Sequence, residues 1–234
     1  AVNSVPQVMV ATRRGNTAVR AGDKLAGMRV IPLVIDESVL DEADAVAAAA
    51  PGAGPLCEVV PFRLRRVGIV TTGSEVAGGL IEDSFTPVVQ AKLAAYGIEM
   101  VAHELPGDDV DDIVAAIGRV REAGVDLVVC TGGMSVDPDD NTPGAIQRSG
   151  AAMVTYGAPV LPGAMLFVGY YADGIPVLGL PGCVMFAKAT ILDLVLPRIA
   201  AGIRLSREDV VTYGEGGLCL GCAECHYPIC PFGK

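Results

Sequence analysis

The chain has 234 residues, of which 51% are apolar and 19% are charged, and its formal net charge is −10. High apolar content with modest charge excludes general disorder, and the negative charge argues against a nucleic-acid partner. The longest uncharged stretch, Tyr156–Ala172, contains two prolines and three glycines, unlike a membrane-spanning helix of about 20 apolar residues, so we expect a cytoplasmic protein with no membrane partner.

Residues 1–60 form the first predicted domain, a small β-containing segment. Gln7–Thr12 and Gly27–Ile35 are rich in β-branched residues and predict strands. The Ala-rich, acidic stretch Asp36–Ala50 predicts a helix that ends at Pro51-Gly52, where a loop follows. Because the chain starts without Met, we expect these residues to be the remnant of a longer N-terminal portion.

Residues 61–204 form the second predicted domain and show a regular alternation of strands and helices. Continuous apolar strands that alternate with helices favour a mostly parallel sheet covered on both faces. Thr86 and Thr142 precede two of the helices and are the predicted N-caps. The predicted strands and extended segments are Val67–Thr71, Ile98–Leu105, Asp126–Cys130, Met153–Val160, Met165–Tyr171 and Pro176–Leu180, and the predicted helices are Pro87–Tyr96, Asp109–Ala123, Pro143–Arg148 and Val184–Ala200.

The loops that follow these strands combine glycine with hydroxyl or acidic residues. They are TTGSE at 71–75, PGDD at 106–109, TGGMSVDPDD at 131–140 and LPGC at 180–183. Ligands of open α/β sheets bind in the crevice beyond the carboxyl ends of the strands. The sequence therefore predicts a ligand site that these loops form together.

The pair Gly132-Gly133 follows a buried strand and leads towards a helix. Glycine there lets backbone N–H groups approach an anionic group such as a phosphate. The alternative is a tight turn that requires a positive φ angle, and the sequence leaves both open. The hydroxyls of Thr72, Ser74 and Ser135 are suited to hydrogen bonds with a phosphate or a pterin edge.

Carboxylates follow several of the strands, and hard oxygen ligands of this kind suit Mg²⁺, which takes one or two carboxylates together with substrate phosphates. Asp108 and Asp140 lie at the tips of neighbouring predicted strands, and we expect them to contact metal or substrate. Asp109 is expected to cap a helix, and Asp139 to lie on a solvated turn. The crevice is predicted to hold an anionic ligand with a divalent cation.

Two kinds of enzyme site are disfavoured by the motifs. The two histidines are His103, inside a strand, and His226, near the C-terminus, which argues against a hydrolase triad in the crevice. The sequence also has no phosphate-binding G-x-x-x-x-G-K-[ST] motif.

Residues 205–234 form a cysteine-rich tail. Cys219, Cys222, Cys225 and Cys230 have the spacing C-x₂-C-x₂-C-x₄-C and are followed by Pro. This is close to a ferredoxin run and also fits a Cys₄ zinc site. We predict an iron–sulfur cluster or Zn²⁺ here, with His226 as a substitute ligand. A loose tail with free thiols, a pair of disulfides and a packed hydrophobic tail are the alternatives.

From about Arg66 to Ile203, the order and spacing of the motifs resemble the molybdopterin-binding domain shared by molybdopterin adenylyltransferases and molybdenum insertases. The whole chain resembles a prokaryotic group of molybdopterin-binding proteins, in its stretch ATRRGNTAVRAGDKLAGMRVIPLVIDE and its tail GLCLGCAECHYPICPFGK. The motifs that carry the domain resemblance are TGSE at 72–75 with Asp83 and Ser84 behind it, the acidic pair at 108–109, TGGMSVDPDDNT at 131–142, PGAM at 162–165 and LPG at 180–182.

The resemblance implies a three-layer α/β fold that binds molybdopterin, a pterin dithiolene monophosphate, or its adenylylated form, assisted by Mg²⁺. It implies functional roles for Asp108 and Asp140. Two departures from the insertases are Cys183-Val184, where Asn and Pro often follow LPG, and Ala164-Met165, where Lys-Pro is common. The ligand-binding residues that the resemblance implies are Thr72, Gly73, Ser74, Glu75, Asp83, Gly132, Gly133, Ser135, Gly163, Pro181 and Gly182.

Three functions remain open at this point. The first is molybdopterin binding in molybdenum cofactor biosynthesis, with transfer of adenylyl or molybdate. The second is a non-catalytic molybdopterin carrier or a redox or metal sensor. The third is a fold relative that acts on nicotinamide nucleotides, because enzymes of that group have a similar loop of glycines and aspartates. A homo-oligomer is expected in each case.

Overall fold

The computed structural model describes residues 1–49, 55–135, 137 and 140–234. Within them the chain divides into two compact units, Ala1–Pro61 and Phe62–Lys234. The predicted helix end at Pro51-Gly52 and the solvated turn at Asp139 lie outside the described residues.

The first unit is built on a β-hairpin and one helix. Strand β1 (Val8–Thr12) pairs antiparallel with β2 (Ala26–Val30), and helix α1 spans Glu37–Ala48. Val2, Val5, Val8 and Ala43 form a small buried cluster between them. The predicted elements are present, although β2 ends well before Ile35.

The second unit alternates strands and helices in the predicted order. None of the helices in the described part of the chain is long and apolar enough to cross a membrane. In chain order its elements are β3 (Arg66–Thr71), α2 (Ser74–Ala77), α3 (Phe85–Ala94), β4 (Glu99–Glu104), α4 (Val110–Glu122), β5 (Leu127–Thr131), α5 (Thr142–Arg148), β6 (Ala152–Tyr156), β7 (Phe167–Tyr170), β8 (Pro176–Leu180), α6 (Ile191–Ala200) and α7 (Arg207–Val211).

The strands of this unit form a sheet with the order β4-β3-β5-β8-β7-β6. The pairs β3–β4, β3–β5 and β5–β8 are parallel, whereas β7 runs antiparallel to both of its neighbours. The mostly parallel sheet is therefore confirmed. Because β3, β4, β5, β8 and β6 point the same way, the loops that follow them lie at one edge of the sheet.

Helices cover both faces of the sheet, because alternate residues of each strand point to opposite sides. On β5, Leu127 and Val129 pack in the cluster that contains α3 and α6 residues. Val128 and Cys130 pack in the cluster that contains α4 and α5 residues. This arrangement is a three-layer α/β/α fold, as the resemblance implies.

Two predicted N-caps are wrong. Helix α3 begins at Phe85, and its first N–H groups, those of Phe85 and Thr86, donate to Asp83 Oδ1 at 2.8 and 3.0 Å. Helix α5 begins at Thr142 itself. The hydroxyls of Thr86 and Thr142 are both used in contacts with β3 or the loop after it.

The last predicted helix begins later than expected, at Ile191 rather than Val184. A short 3₁₀ turn occupies 182–185, and the helix is started by a capping box in which Thr190 Oγ1 accepts from the N–H of Leu192 at 3.2 Å. Asp193 Oδ2 in turn accepts from the N–H of Thr190 at 2.8 Å. These reciprocal bonds fix the helix start.

We expect Thr190→Ala to lower the free energy of unfolding by about 1–2 kcal/mol, because Thr190 is fully buried and its cap hydrogen bond is lost. Urea denaturation checks this value. Thr190→Ser keeps the hydroxyl and serves as the control. Equal losses in both variants would show that methyl packing, and not the cap, is responsible.

Candidate functional site

A cavity of about 360 Å³ lies at the carboxyl ends of β3, β4 and β5. It brings together residues of three loops that are distant in sequence. Of the predicted ligand-site residues, Thr72, Gly73, Ser74, Glu75, Asp83, Asp108 and Gly132 line it.

Asp108 joins the loop after β4 to the loop after β3. Its Oδ2 accepts hydrogen bonds from the N–H of Ser74 at 2.9 Å and from Ser74 Oγ at 2.6 Å. The N–H of Gly73 donates to the carbonyl of Pro106 at 3.3 Å. The half-buried carboxylate of Asp108 is thus held in place at the cavity wall.

The glycine pair after β5 packs tightly against the loop after β3. Gly132 has a φ angle of +81°, and a Cβ atom there would overlap the carbonyl oxygen of Thr72. Gly133 has a φ angle of +51°, and its Cβ would lie 2.8 Å from Thr142 Oγ1. The tight-turn interpretation accounts for both glycines, and close approach of a ligand remains a prediction.

Asp140 holds the rest of this loop. Its Oδ2 accepts from the N–H of Ser135 at 2.8 Å, and the adjacent Asn141 donates from Nδ2 to the carbonyl of Asp108 at 2.9 Å. Tyr156, at the end of β6, donates from its hydroxyl to the carbonyl of Ser135 at 3.0 Å. Asp108 and Asp140, the two predicted functional carboxylates, therefore lie on loops that are joined by a hydrogen bond.

Six of the predicted site residues do not line this cavity, namely Gly133, Ser135 and Asp140 of the loop after β5, and Gly163, Pro181 and Gly182. Gly163 is buried, and a Cβ there would lie 2.7 Å from Cβ of Ile191, so helix packing already requires its small size. Pro181 is buried and Gly182 is exposed at the end of β8. Their role in ligand binding stays a prediction.

The cavity also has an apolar wall, which the sequence did not predict. Val76, Ile81, Phe85 and Met185 line it beside the polar residues. Met185 belongs to the segment after β8, which the sequence places in a helix. No local pattern marks these residues, because only the meeting of three loops and this segment puts them on one surface.

A buried polar network lies behind the cavity. The hydroxyls of Thr71 and Thr86 are 3.0 Å apart, and His103 Nε2 lies 3.1 Å from the Thr86 hydroxyl and 3.3 Å from Asp83 Oδ2. Burial opposes ionisation of Asp83, but hydrogen bonds from Thr86 and Phe85 and the nearby His103 outweigh it and lower the pKa of the carboxyl group. Asp83 is therefore an anion at neutral pH.

The cavity has a one-sided charge. Glu75, Glu82, Asp83 and Asp108 line it, and no Lys, Arg or His is among the described residues of its lining. Carboxylates repel an anionic ligand, and the repulsion grows as water is displaced. The charge of the described lining therefore disfavours an anion that binds without a cation.

The predicted ligands of the tail metal are not arranged around one point. Cys219 and Cys230 are half-buried, Cys222 and Cys225 are exposed, and all four are free thiols. Among the described residues, no three of the His, Cys, Asp and Glu side chains are placed to hold one metal ion. The structure therefore does not support a preformed single-ion site in the tail.

Residues 68–201, more than half of the chain, match the family described as a probable molybdopterin binding domain. CinA-like proteins of Mycobacterium avium strain 104 and Mycobacterium tuberculosis strain H37Rv are 36% and 37% identical to this chain over 83 residues. That region is 36% of this chain and only 19% of each relative. The crystal structure of the molybdopterin biosynthesis enzyme MoaB from Thermus thermophilus is 25% identical, covers 59% of this chain and 98% of that chain, and has a TM-score of 0.50.

Proposed function

The chain belongs to the molybdopterin-binding domain family, and on this premise we propose that its carboxyl-edge cavity binds molybdopterin or adenylylated molybdopterin together with Mg²⁺. The observation that carries the proposal is the cavity itself, where the TGSE loop, Asp108 and Gly132 meet. Each belongs to a motif of the resemblance, although the motifs are far apart in sequence.

The acidic lining supports a role for Mg²⁺. Asp108 and Asp140 each use Oδ2 for a hydrogen bond to a neighbouring loop, which orients the carboxylates. Mg²⁺ takes one or two carboxylates and completes its shell with phosphate oxygens and water, so Asp108 in the cavity lining can hold it, with Asp140 on the adjoining loop as the proposed second carboxylate. When bound, the ion would neutralise the charge between these carboxylates and the ligand phosphate.

The apolar wall supports a ring-shaped ligand. Small-molecule sites combine apolar and aromatic side chains with a few placed polar groups. Phe85, Val76 and Met185 supply the apolar surface, and the hydroxyls of Thr72 and Ser74 supply the polar groups. A pterin with a phosphate tail has both the apolar ring face and the polar edge that this lining suits.

Binding is favoured over group transfer. Enzymes that transfer phosphoryl or adenylyl groups use Arg, Lys or metal ions to stabilise the developing charge. The described lining has no Lys or Arg, so the proposed Mg²⁺ would be the single cation there to stabilise a transferred group, and Ala164-Met165 stands where the related insertases often have Lys-Pro. We therefore propose a molybdopterin carrier in molybdenum cofactor biosynthesis, with adenylyl or molybdate transfer as the competing function.

Removal of Mg²⁺ tests the proposal. We expect the affinity for molybdopterin, measured by anaerobic fluorescence titration, to fall at least about tenfold when EDTA replaces Mg²⁺, equivalent to about 1.4 kcal/mol of binding free energy. The same titration with nicotinamide mononucleotide is the matched control and should give no saturable binding.

Three results would contradict parts of this proposal. Equal molybdopterin affinity with and without Mg²⁺ would show that the metal has no role in binding. Turnover of ATP or molybdate by the loaded protein would favour a transferase. Binding and turnover of the nicotinamide nucleotide, without molybdopterin binding, would place the protein among the nucleotide-processing relatives.

A further inference from the structure

The cysteine-rich tail is packed on the second unit. Phe232 is 3% exposed and belongs to the core cluster that contains α6. The hydroxyl of Tyr227 donates to the carbonyl of Asp193 at 2.8 Å, and the N–H of Cys219 donates to the carbonyl of Leu161 at 2.8 Å. The segment that carries the cysteines is therefore anchored near both of its ends.

All four tail cysteines line one cavity of about 280 Å³. Leu218, Leu220 and Phe232 contribute apolar surface to it, and no Asp or Glu is among the described residues of its lining. Hard cations such as Mg²⁺ and Ca²⁺ prefer oxygen ligands, whereas thiolates select zinc, Cu(I) or iron–sulfur clusters. The lining therefore suits a thiolate-bound centre.

We propose that Cys219, Cys222, Cys225 and Cys230 bind an iron–sulfur cluster in this cavity. A Cys₄ zinc site needs all four sulfurs about 2.3 Å from one ion, and among the described residues no three such side chains are placed to hold one ion, although all four cysteines line the same cavity. In a four-iron cluster each cysteine binds a different iron, so the sulfurs surround a volume. Each thiol releases its proton as it binds iron.

The spacing of the cysteines supports the same choice. C-x₂-C-x₂-C supplies three thiolates of one cluster in the bacterial ferredoxin run, where the fourth Cys, before Pro, binds a second cluster. Here Cys230, with one additional residue before it, lines the same cavity as the other three cysteines, so we assign it to the same cluster. Apolar surroundings shield such clusters from solvent and tune their potential. Buried Phe232 supplies such a surface, whereas Leu218 and Leu220 are exposed and leave the other side of the cavity open to solvent.

The cysteine cavity is distinct from the carboxyl-edge cavity. The segment after β8 contributes Met185 to the carboxyl-edge cavity and Ala187 and Ala189 to the cysteine cavity, and the two linings share no described residue. The inference therefore goes beyond molybdopterin binding. Molybdopterin binding and iron content can therefore be measured separately, and failure of one proposal does not imply failure of the other.

Anaerobic reconstitution of the full chain with ferric iron, sulfide and dithiothreitol tests the cluster. We expect about four iron and four sulfide per chain, with a broad visible absorption that is absent from the untreated protein. A parallel sample incubated with Zn²⁺ alone should bind less than one equivalent after desalting.

Variants locate the cluster. Cys222 and Cys225 are exposed, so Cys222→Ser and Cys225→Ser should keep the far-UV circular dichroism of the parent and lose more than half of its iron and sulfide. Cys57→Ser changes another exposed cysteine, in the first unit, and should retain the full content.

The proposal is overturned by either of two results. One is a folded Cys222→Ser, Cys225→Ser double variant that holds as much iron and sulfide as the parent. The other is a parent chain that binds one zinc tightly but takes up less than half an equivalent of iron. Protection of the four thiols from iodoacetamide after iron and sulfide loading would support it.

Discussion

Asp108→Asn is expected to weaken Mg²⁺-dependent molybdopterin binding about 10- to 100-fold while leaving the fold intact. The substitution removes a negative charge from the cavity wall, and it weakens the two hydrogen bonds that Asp108 Oδ2 accepts from Ser74. The free energy of unfolding should fall by about 1 kcal/mol through those bonds. Anaerobic titration with molybdopterin and urea denaturation measure the two effects, and Asp140→Asn should act in the same direction.

The neighbouring Asp109→Asn is the matched control. Asp109 caps α4, where its Oδ1 accepts from the N–H groups of Asp111 and Asp112 at 2.8 and 3.3 Å, which confirms the predicted cap. Asn caps helices about as well as Asp, so the same change in charge should leave affinity within about twofold. An equal loss in both variants would mean that net charge, and not the position of Asp108, governs binding.

Gly132→Ala is expected to lower the free energy of unfolding by about 2–4 kcal/mol and to abolish ligand binding. The positive φ angle of +81° adds backbone strain for Ala. The new Cβ also overlaps the carbonyl of Thr72, and such overpacking lowers the free energy of unfolding further. Since the loops after β3 and β5 must separate to relieve the overlap, the cavity between them should be distorted. Urea denaturation and molybdopterin titration provide the measurements.

Gly118→Ala makes the same chemical change without either obstacle. Gly118 lies in α4, and a Cβ there would meet no atom within 4 Å, so Ala should stabilise the helix by about 0.5–1 kcal/mol. Opposite signs for the two variants are therefore expected. A Gly132→Ala protein as stable as the parent would refute the close packing of the two loops.

The threonines show why local patterns misassign side chains. Thr86 and Thr142 both precede helix-forming residues, and threonine is a good N-cap. In the structure the hydroxyl of Thr142 lies 3.1 Å from that of Thr72, which is 70 positions away, and Thr86 contacts Thr71 and His103. A hydroxyl that finds a buried tertiary partner is unavailable to its own helix.

Local sequence patterns were enough to predict the order of strands and helices, the mostly parallel sheet and the loops that carry the family motifs. These follow from apolar periodicity and from glycines and prolines close to each element, which act over a few residues. The resemblance in those loops also identified the molybdopterin-binding family, which the comparisons confirm.

Which of these residues contact each other depends on the tertiary structure. The order β4-β3-β5-β8 places Asp108 against Ser74 and Gly132 against Thr72, and it leaves Gly163 packed on α6 and outside the cavity. The fold also brings the four tail cysteines into the lining of one cavity. Contacts between residues tens of positions apart depend on strand order and on the packing of whole elements, and local sequence patterns do not encode either.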